Sequence, residues 1–409
     1  MKPLKILYLC HRFPYPGNDG SRVRSLHIIR HFKNSGHQVT VASLVRSDEE
    51  ATAGQPLADF CDRVIMARVN ETVQNIRMAA YLLCPTPSSM AYFYSKTLAK
   101  QIDEAIKTDR PDLIYVHCSS VAPYVADYNI PKIMDFVDMD SAKWLIYAKF
   151  KSFPINLGYW YEGIKLRRAE KSLAQRFDIS TCITRTELDT LTDYQLNVDG
   201  DWFPNGVDYQ FFCPDQQPDY DTNTISFIGR MDYYPNIEAM LRFCKDIFPL
   251  VRQHNVHAKM LIIGANPAAE IIALGDQDGI TVTGTVDDVR PYVRGSAVMV
   301  APLKIARGTQ NKILEAMAMG VPVVCSDVAA RGVDAVDGQQ ILVANSDKQC
   351  AEKILSVISN SDQRQRLSQA GRDWIVRSYS WEKAMLRLDD IIERCMEATA
   401  KISDESQHN

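Results

Sequence analysis

The amino-acid sequence predicts an α/β protein of two doubly wound parallel-sheet domains, joined by a linker and with a ligand cleft expected between them. Three observations carry this. At 409 residues the chain is too long for one ordinary core. Short apolar runs alternate with helical patterns through its first half. The alternation breaks after Asn205, in a stretch with Pro214, Pro218 and several Asp and Gln, and then resumes.

The opening unit reads strand, loop, helix, strand. Leu4 to Cys10 is a short apolar run of the kind buried on both faces of a parallel sheet. Turn residues follow from Pro14 through Gly17, Asn18, Asp19 and Gly20. Val23, Leu26, Ile29 and Phe32 then recur at helical spacing, and Gly36 stands where a glycine would end that helix. Val39, Val41 and Leu44 alternate as the next strand. Further strands are expected at Arg63–Val69, Asp112–His117, Lys132–Val137 and Asp178–Ile183, with helical patterns at Leu98–Ile106 and Tyr161–Phe177. Beyond the break, strands are expected at Ile225–Ile228, Ala258–Ile263, Ile280–Thr283, Val298–Ala301 and Val321–Cys325. Helices are expected at Ile237–Val251 and Ile313–Met319, and over Ala351–Met396 with an interruption near Ser378-Tyr379-Ser380.

Composition narrows the function. Hydrophobic residues make up 46% and charged residues 23%, which excludes a disordered or low-complexity chain. A net charge of -4 argues against a nucleic-acid footprint over the whole surface. The 10 cysteines are scattered and include no Cys-x-x-Cys pair, so they read as small core residues rather than zinc ligands. The start, Met1-Lys2-Pro3-Leu4-Lys5, lacks the apolar region of a signal peptide, and no apolar stretch approaches the ~20 residues that span a bilayer. The expectation is a cytoplasmic protein.

The most informative segment runs from Pro302 to Val324: strand end, glycine turn at Gly308, helix, then a second strand after Gly320-Val321-Pro322. A turn feeding a helix presents free N–H groups and a positive dipole end, suited to a diphosphate. Lys312 would add a full charge one turn in. Glu315, three residues on and on the same face, could accept both hydroxyls of a ribose. A solvated Lys–Glu pair on an ordinary crossover is the alternative.

Lys312-x-x-Glu315-Ala316-Met317-Ala318-x-Gly320-x-Pro322-Val323-Val324 closely resembles the nucleotide-binding stretch of family 4 glycosyltransferases, which have the GT-B fold of two Rossmann-like domains. Other segments agree in order: the loop at Gly17 and Gly20, Gly36-His37-Gln38-Val39, Asn205-Gly206-Val207-Asp208, Phe227-Ile228-Gly229-Arg230 and Thr283-Gly284-Thr285-Val286. Asp135 to Trp144 resembles a narrower branch, the sugar transferases of bacterial exopolysaccharide and PEP-CTERM/exosortase systems. The resemblance implies an acceptor-side domain over residues 1–204, completed by a terminal helix over about 379–409, where Tyr379-Ser380-Trp381 marks the return. It implies a linker at 205–223 and a nucleotide-sugar domain at 224–378. The implied activity is sugar transfer from a nucleotide-sugar donor to a glycan or lipid-linked acceptor, with retention, without a cofactor and without a metal.

By the same resemblance, catalytic roles fall on His117, Arg230 and Lys312, and donor contacts on Glu315, Val286 and Asp287; Arg307 and the backbone N–H groups of Gly308, Thr309 and Gln310 are expected to take part of the sugar and phosphate contact. Tyr292 lies near where relatives hold the base. Gly17 and Gly20, with Asp138, would form the acceptor or phosphate loop, and His11 has weaker support. The ordinary alternatives are a surface arginine paired with Asp232 for Arg230, an edge histidine with a local hydrogen bond for His117, and a plain turn for the glycines. One departure stands out: the family commonly carries a second Glu eight positions before Glu315, and this chain has Arg307 there. Arginine cannot accept a sugar hydroxyl proton but can donate to a diphosphate. That substitution keeps open a non-catalytic nucleotide-sugar binder, and an epimerase on the same scaffold is the other alternative.

Asp138-Met139-Asp140 has the Asp-x-Asp look of metal-dependent transferases, a motif short enough to arise by chance. These aspartates, with Asp135 nearby, are expected to shape the acceptor side. From Ser141 to Arg176, eight Lys and Arg face only Glu162 and Glu170, with Trp144, Tyr147, Phe150, Phe153, Tyr159 and Trp160 interleaved. Such a stretch suits peripheral contact with the inner face of an anionic membrane, or else is a charged helix face with its aromatics packed inward.

Overall fold

The structure is a computed structural model describing residues 2–17, 20–215 and 220–407. Asn18 and Asp19 of the glycine loop lie outside the described residues, as does 216–219 of the expected linker. The chain divides into one unit of Met1–Pro204 with Met385–Asn409 and a second of Asn205–Ala384.

Among the described residues the first unit holds a seven-stranded parallel sheet. Its strands are β1 (Lys5–Cys10), β2 (Gln38–Val45), β3 (Arg63–Arg68), β4 (Leu113–His117), β5 (Lys132–Val137), β6 (Ile179–Cys182) and β7 (Asp199–Trp202), in the order β3-β2-β1-β4-β5-β6-β7. The chain winds outward from β1 in one direction, returns, and winds outward again from β4. The crevice at that reversal, beyond the carboxyl ends of β1 and β4, is where open α/β sheets place ligands. β4 is buried along its whole length and β1 over all but Lys5, as their unbroken apolar runs require.

Local signals work as the residue types dictate. The helix Gly20–Asn34 ends at Gly36 with φ +83, where His37 N donates to Phe32 O and Gly36 N to Lys33 O, closing the last carbonyls. The helix Lys96–Asp109 starts on Ser95, whose hydroxyl accepts from Leu98 N, and buries Leu98, Ile102, Ala105 and Ile106 on one face.

The second unit repeats the plan with β8 (Asp221–Ile228), β9 (Lys259–Ile263), β10 (Ile280–Val282), β11 (Ser296–Ala301), β12 (Val323–Ser326) and β13 (Leu342–Ala344). Among the described residues they form a six-stranded parallel sheet ordered β10-β9-β8-β11-β12-β13, with its reversal between β8 and β11. β8 begins at Asp221, ahead of the apolar run, where Asp221 binds Asn223 N, Thr224 Oγ1 and Lys259 Nζ.

The expected Tyr161–Phe177 helix runs over Ile155–Ala174. The expected tail helix is three: Asp347–Ser359, Ser361–Ser378 and Trp381–Gln407. Its extra break falls at Asn360, whose side chain caps the second of them by accepting from Gln363 N. No described helix is long and apolar enough to cross a membrane.

Candidate active site

In the second unit the chemistry collects at the carboxyl ends of β8 and β11. Strand β8 ends at Ile228 and continues into Gly229 and Arg230. The helix Tyr234–Arg242 brings back Asn236, 6% exposed, whose Nδ2 donates to the Arg230 carbonyl at 2.8 Å. Its Oδ1 accepts from Lys312 Nζ at 2.7 Å. A carbonyl oxygen only accepts, so the Arg230 contact sets which way the amide faces. Lys312 Nζ also lies 4.1 Å from the centroid of the Phe227 ring. Gly229 makes the approach possible: a Cβ there would stand 2.7 Å from Asn236 Nδ2 and 3.1 Å from Lys312 Nζ. Gly264, after β9, is tighter still, since its Cβ would lie 1.7 Å from Gly229 O.

Lys312 sits on the first turn of the helix Asn311–Ala318, with Glu315 one turn on. Burial lowers Lys312 to about 7 against the opposing pull of Glu315, and burial raises Glu315 to about 7 against Lys312. Desolvation therefore works against the full charge expected at Lys312.

Before the helix, Gly308 turns the chain with φ +65, and Gln310 Nε2 donates to the carbonyls of Arg307 at 3.1 Å and Gly308 at 3.4 Å. No side chain caps the helix start. Thr309 Oγ1 and Asn311 Oδ1 are buried with no hydrogen-bond partner among the described residues. Uncapped N–H groups and buried polar atoms gathered at one helix start are suited to a polar, anionic ligand.

The other expected donor residues are less gathered. Arg230 turns its guanidinium onto Asp232, Nε to Oδ1 at 3.1 Å and Nη2 to Oδ2 at 2.6 Å, with its side chain 61% exposed. This is the surface pairing left open by the sequence. Lys312 finds its partner in Asn236. Arg307 is partly buried. Val286 packs partly buried against the core, while Asp287 and Tyr292 are exposed, on the segment after β10, two strands from β8.

In the first unit the ends of β1, β4 and β5 carry a buried polar cluster. His117 closes β4, and its Nδ1 lies 3.5 Å from Asp135 Oδ2. The His11 ring, one residue past β1, stacks on it with centroids 6.2 Å apart and planes at 12°. Burial, then the neighbouring His117, Arg12 and Arg46, pushes the His11 pKa well down. Asp135 accepts from Arg24 Nε at 2.9 Å and Nη2 at 3.3 Å, from Tyr115 OH at 2.9 Å and from Thr181 Oγ1 at 3.2 Å. Burial alone would raise its pKa. The Arg24 guanidinium, then His117, outweigh burial and hold the carboxyl well below the usual carboxylate range. Asp135, which the sequence places near Asp138 and Asp140, is fully buried, and its oxygens are committed to Arg24 and its neighbours.

Asp138 is partly buried, and its Oδ1 has no hydrogen-bond partner among the described residues. Asp140 starts the helix Asp140–Phe150, and burial raises its pKa. Among the described residues no group of three or more His, Cys, Asp or Glu stands where it could hold a metal ion. Gly17 packs on Leu26, and Gly20 opens the first helix.

Sequence reasoning missed two participants. Asn236 carried no signal, because a lone Asn after Tyr233-Tyr234-Pro235 reads as a helix start. Arg24 lies among other cations on a helix with little amphipathic contrast, and only the sheet order places it beside Asp135.

Comparisons with known proteins agree on a family. Residues 18–211 match the family model described as Glycosyltransferase Family 4, and residues 222–360 the one described as Glycosyl transferases group 1. An uncharacterized 44.6 kDa protein in the cps region of Klebsiella pneumoniae is 20% identical over 411 residues, 93% of this chain and 97% of that protein. A phosphatidyl-myo-inositol mannosyltransferase of Mycobacterium leprae is 26% identical over 252 residues, 59% of this chain and 63% of that one. Among solved structures, sucrose-phosphate synthase from Thermosynechococcus elongatus superposes with TM-score 0.70 at 13% identity, covering 97% of this chain and 100% of that one. HepE of Anabaena in complex with UDP gives 0.68 at 12%, covering 96% and 100%. Both likenesses are of fold. With its two parallel-sheet units and both family matches, the chain belongs to the family 4, group 1 glycosyltransferases and has the GT-B fold.

Proposed function

We propose that the protein transfers a sugar from a nucleoside diphosphate sugar to a glycan or lipid-linked acceptor in the assembly of a bacterial surface polysaccharide, with retention and without a metal. One observation carries the donor reading: Lys312 and Asn236 converge on the uncapped helix start at the β8/β11 reversal, with Glu315 one turn behind. The cps-region relative and the UDP-bound neighbour support the pathway and the donor class.

In this reading the diphosphate lies against the N–H groups of Gly308 to Gln310 and the first turn of the helix. Its charge favours protonated Lys312, with Arg230 swinging from Asp232 to join it. Glu315 accepts the ribose hydroxyls. As the bond between the sugar's anomeric carbon and the diphosphate oxygen breaks, an acceptor oxygen bonds that carbon on the same face. Its proton passes to the leaving phosphate oxygen. Lys312 and the helix start stabilise the charge that grows there, an effect typically worth roughly 2.7–4 kcal/mol per preorganised donor. His117, backed by Asp135, is assigned to the positive charge developing on the sugar. Arg307 is assigned to the donor in place of the family's usual Glu.

Calorimetric titration of UDP and GDP in EDTA tests the reading. Micromolar binding of one of them, lost in Glu315→Ala, supports it. Binding that requires added manganese moves the site to Asp138 and Asp140, and binding of neither ends the donor assignment. Unchanged donor affinity in Arg307→Ala removes that residue from the site. Donor consumption without any acceptor would favour the epimerase.

A further inference from the structure

More than half of the large apolar side chains exposed among the described residues lie in two short stretches of the first unit, residues 73–83 and 150–161. The fold ties the two together. Lys165, 1% exposed, projects from the helix Ile155–Ala174, and its ammonium donates to the carbonyls of Tyr81 at 3.0 Å, Leu82 at 3.3 Å and Thr86 at 3.4 Å, and to Ser88 Oγ at 3.2 Å. Glu162, one turn earlier, balances its charge at 2.8 Å. A buried lysine thus holds a loop whose tip leaves Leu82 51% and Leu83 90% exposed. On the helix that holds it and the turn before, Phe153, Ile155, Leu157 and Trp160 are 77%, 57%, 54% and 52% exposed. A loop fixed by four polar contacts to present leucines to water is unusual for a lone soluble surface and points to something that covers it.

Charge identifies the cover. Between residues 141 and 176 the only carboxylates are Glu162 and Glu170, 3% and 0% exposed, while Lys149, Arg167 and Arg168 are exposed. Neither stretch, 73–83 nor 141–176, therefore shows an exposed carboxylate, and both carry cations beside apolar groups, on a chain of net charge -4. A second copy meeting this face across a two-fold axis would set these cations against themselves. An anionic bilayer satisfies both features, taking the apolar tips into the headgroup layer and the cations onto its phosphates.

We propose that this face docks on an anionic lipid surface, with Leu82, Leu83, Phe153, Ile155, Leu157 and Trp160 entering the headgroup region. The inference goes beyond the donor reading and uses none of its residues. The test is co-sedimentation of the full chain with vesicles of phosphatidylcholine alone and of phosphatidylcholine mixed equally with phosphatidylglycerol. Expected is binding to the anionic vesicles that weakens with salt, and that falls about tenfold or more in Leu83→Glu/Trp160→Glu. Because both side chains are largely in water, the variant should keep the wild-type circular dichroism and UDP or GDP titration. Brominated lipids should quench the wild-type tryptophan emission more than that of Trp160→Phe. No sedimentation with anionic vesicles at low salt overturns the proposal. So does equal binding by the double variant, and so does a wild-type dimer that the double substitution dissociates without any lipid binding.

Discussion

Lys312 Nζ lies 2.7 Å from Asn236 Oδ1, and the same amide donates from its other end to the Arg230 carbonyl. One side chain therefore holds the loop after β8 and the cation of the helix Asn311–Ala318 in a single arrangement. Removing it in Asn236→Ala strands a desolvated donor, at a cost of about 1–3 kcal/mol. UDP or GDP binding is expected to weaken about tenfold with unchanged circular dichroism, as read by calorimetry.

The lowered Lys312 value sets a pH dependence. A bound diphosphate favours the ammonium, so the pKa in the complex lies above the value of about 7 in the free protein. Below that value the free protein is already protonated and affinity is at full strength. Above it, binding must take up a proton, and affinity is expected to fall by up to about tenfold per pH unit. Glu315→Gln removes the carboxylate that raises Lys312, so the fall should begin at lower pH. Titrations from pH 6 to 9 in buffers of different ionisation enthalpy read both the slope and the proton uptake.

Glu315 is assigned to ribose, which separates two parts of the ligand. A hydrogen bond to a charged group contributes about 1.5–3 kcal/mol. Glu315→Gln should therefore weaken a nucleoside diphosphate roughly ten- to a hundredfold, and inorganic pyrophosphate by only the smaller part that the lowered Lys312 pKa contributes. Equal losses for the two ligands would take Glu315 out of the ribose contact.

Arg230 rests on Asp232 at the surface. Its replacement should change stability by less than about 0.5 kcal/mol. If it swings to the diphosphate, Arg230→Ala should lower kcat about a hundred- to a thousandfold. Denaturant melts beside steady-state rates distinguish a catalytic arginine from an ornament of the surface.

Asp135 and Arg24 form a buried pair with side chains 0% and 1% exposed. Asp135→Asn leaves the guanidinium buried without its counter-charge, which typically costs about 3–5 kcal/mol. The Asp135 pKa is depressed in the folded state, so its contribution is present above the unfolded carboxylate value and is lost as pH falls through the folded one. Urea unfolding should show the variant less stable at pH 7, with the gap to wild type narrowing in acid.

Most of this architecture was legible in the sequence because parallel strands buried on both faces write themselves as apolar runs. β1, β4, β5 and β11 are such runs. β7 was missed because Asp199-Gly200-Asp201-Trp202 is a polar edge strand, and β13 because three residues carry no period. In the site, Lys312 and Glu315 were visible as a spacing on one helix. Their charge state was not, since burial is a property of the whole unit. Nor was Asn236, which gains its role only when β8 and β11 become neighbours.

The helix Trp381–Gln407 buries Leu388, Ile391, Ile392 and Cys395, and its Asp389 and Arg387 bind His31 and Asp201 of the first unit. Residues 205–384 thus lie between the parts of that unit along the chain. On the ribosome, at about 5–20 residues per second, the N-terminal sheet waits roughly 10–35 seconds for the helix that covers it. Until the last turns emerge, its apolar seam is a client for chaperones. A stop codon near residue 385 would therefore spare the second half of the molecule and strip the first.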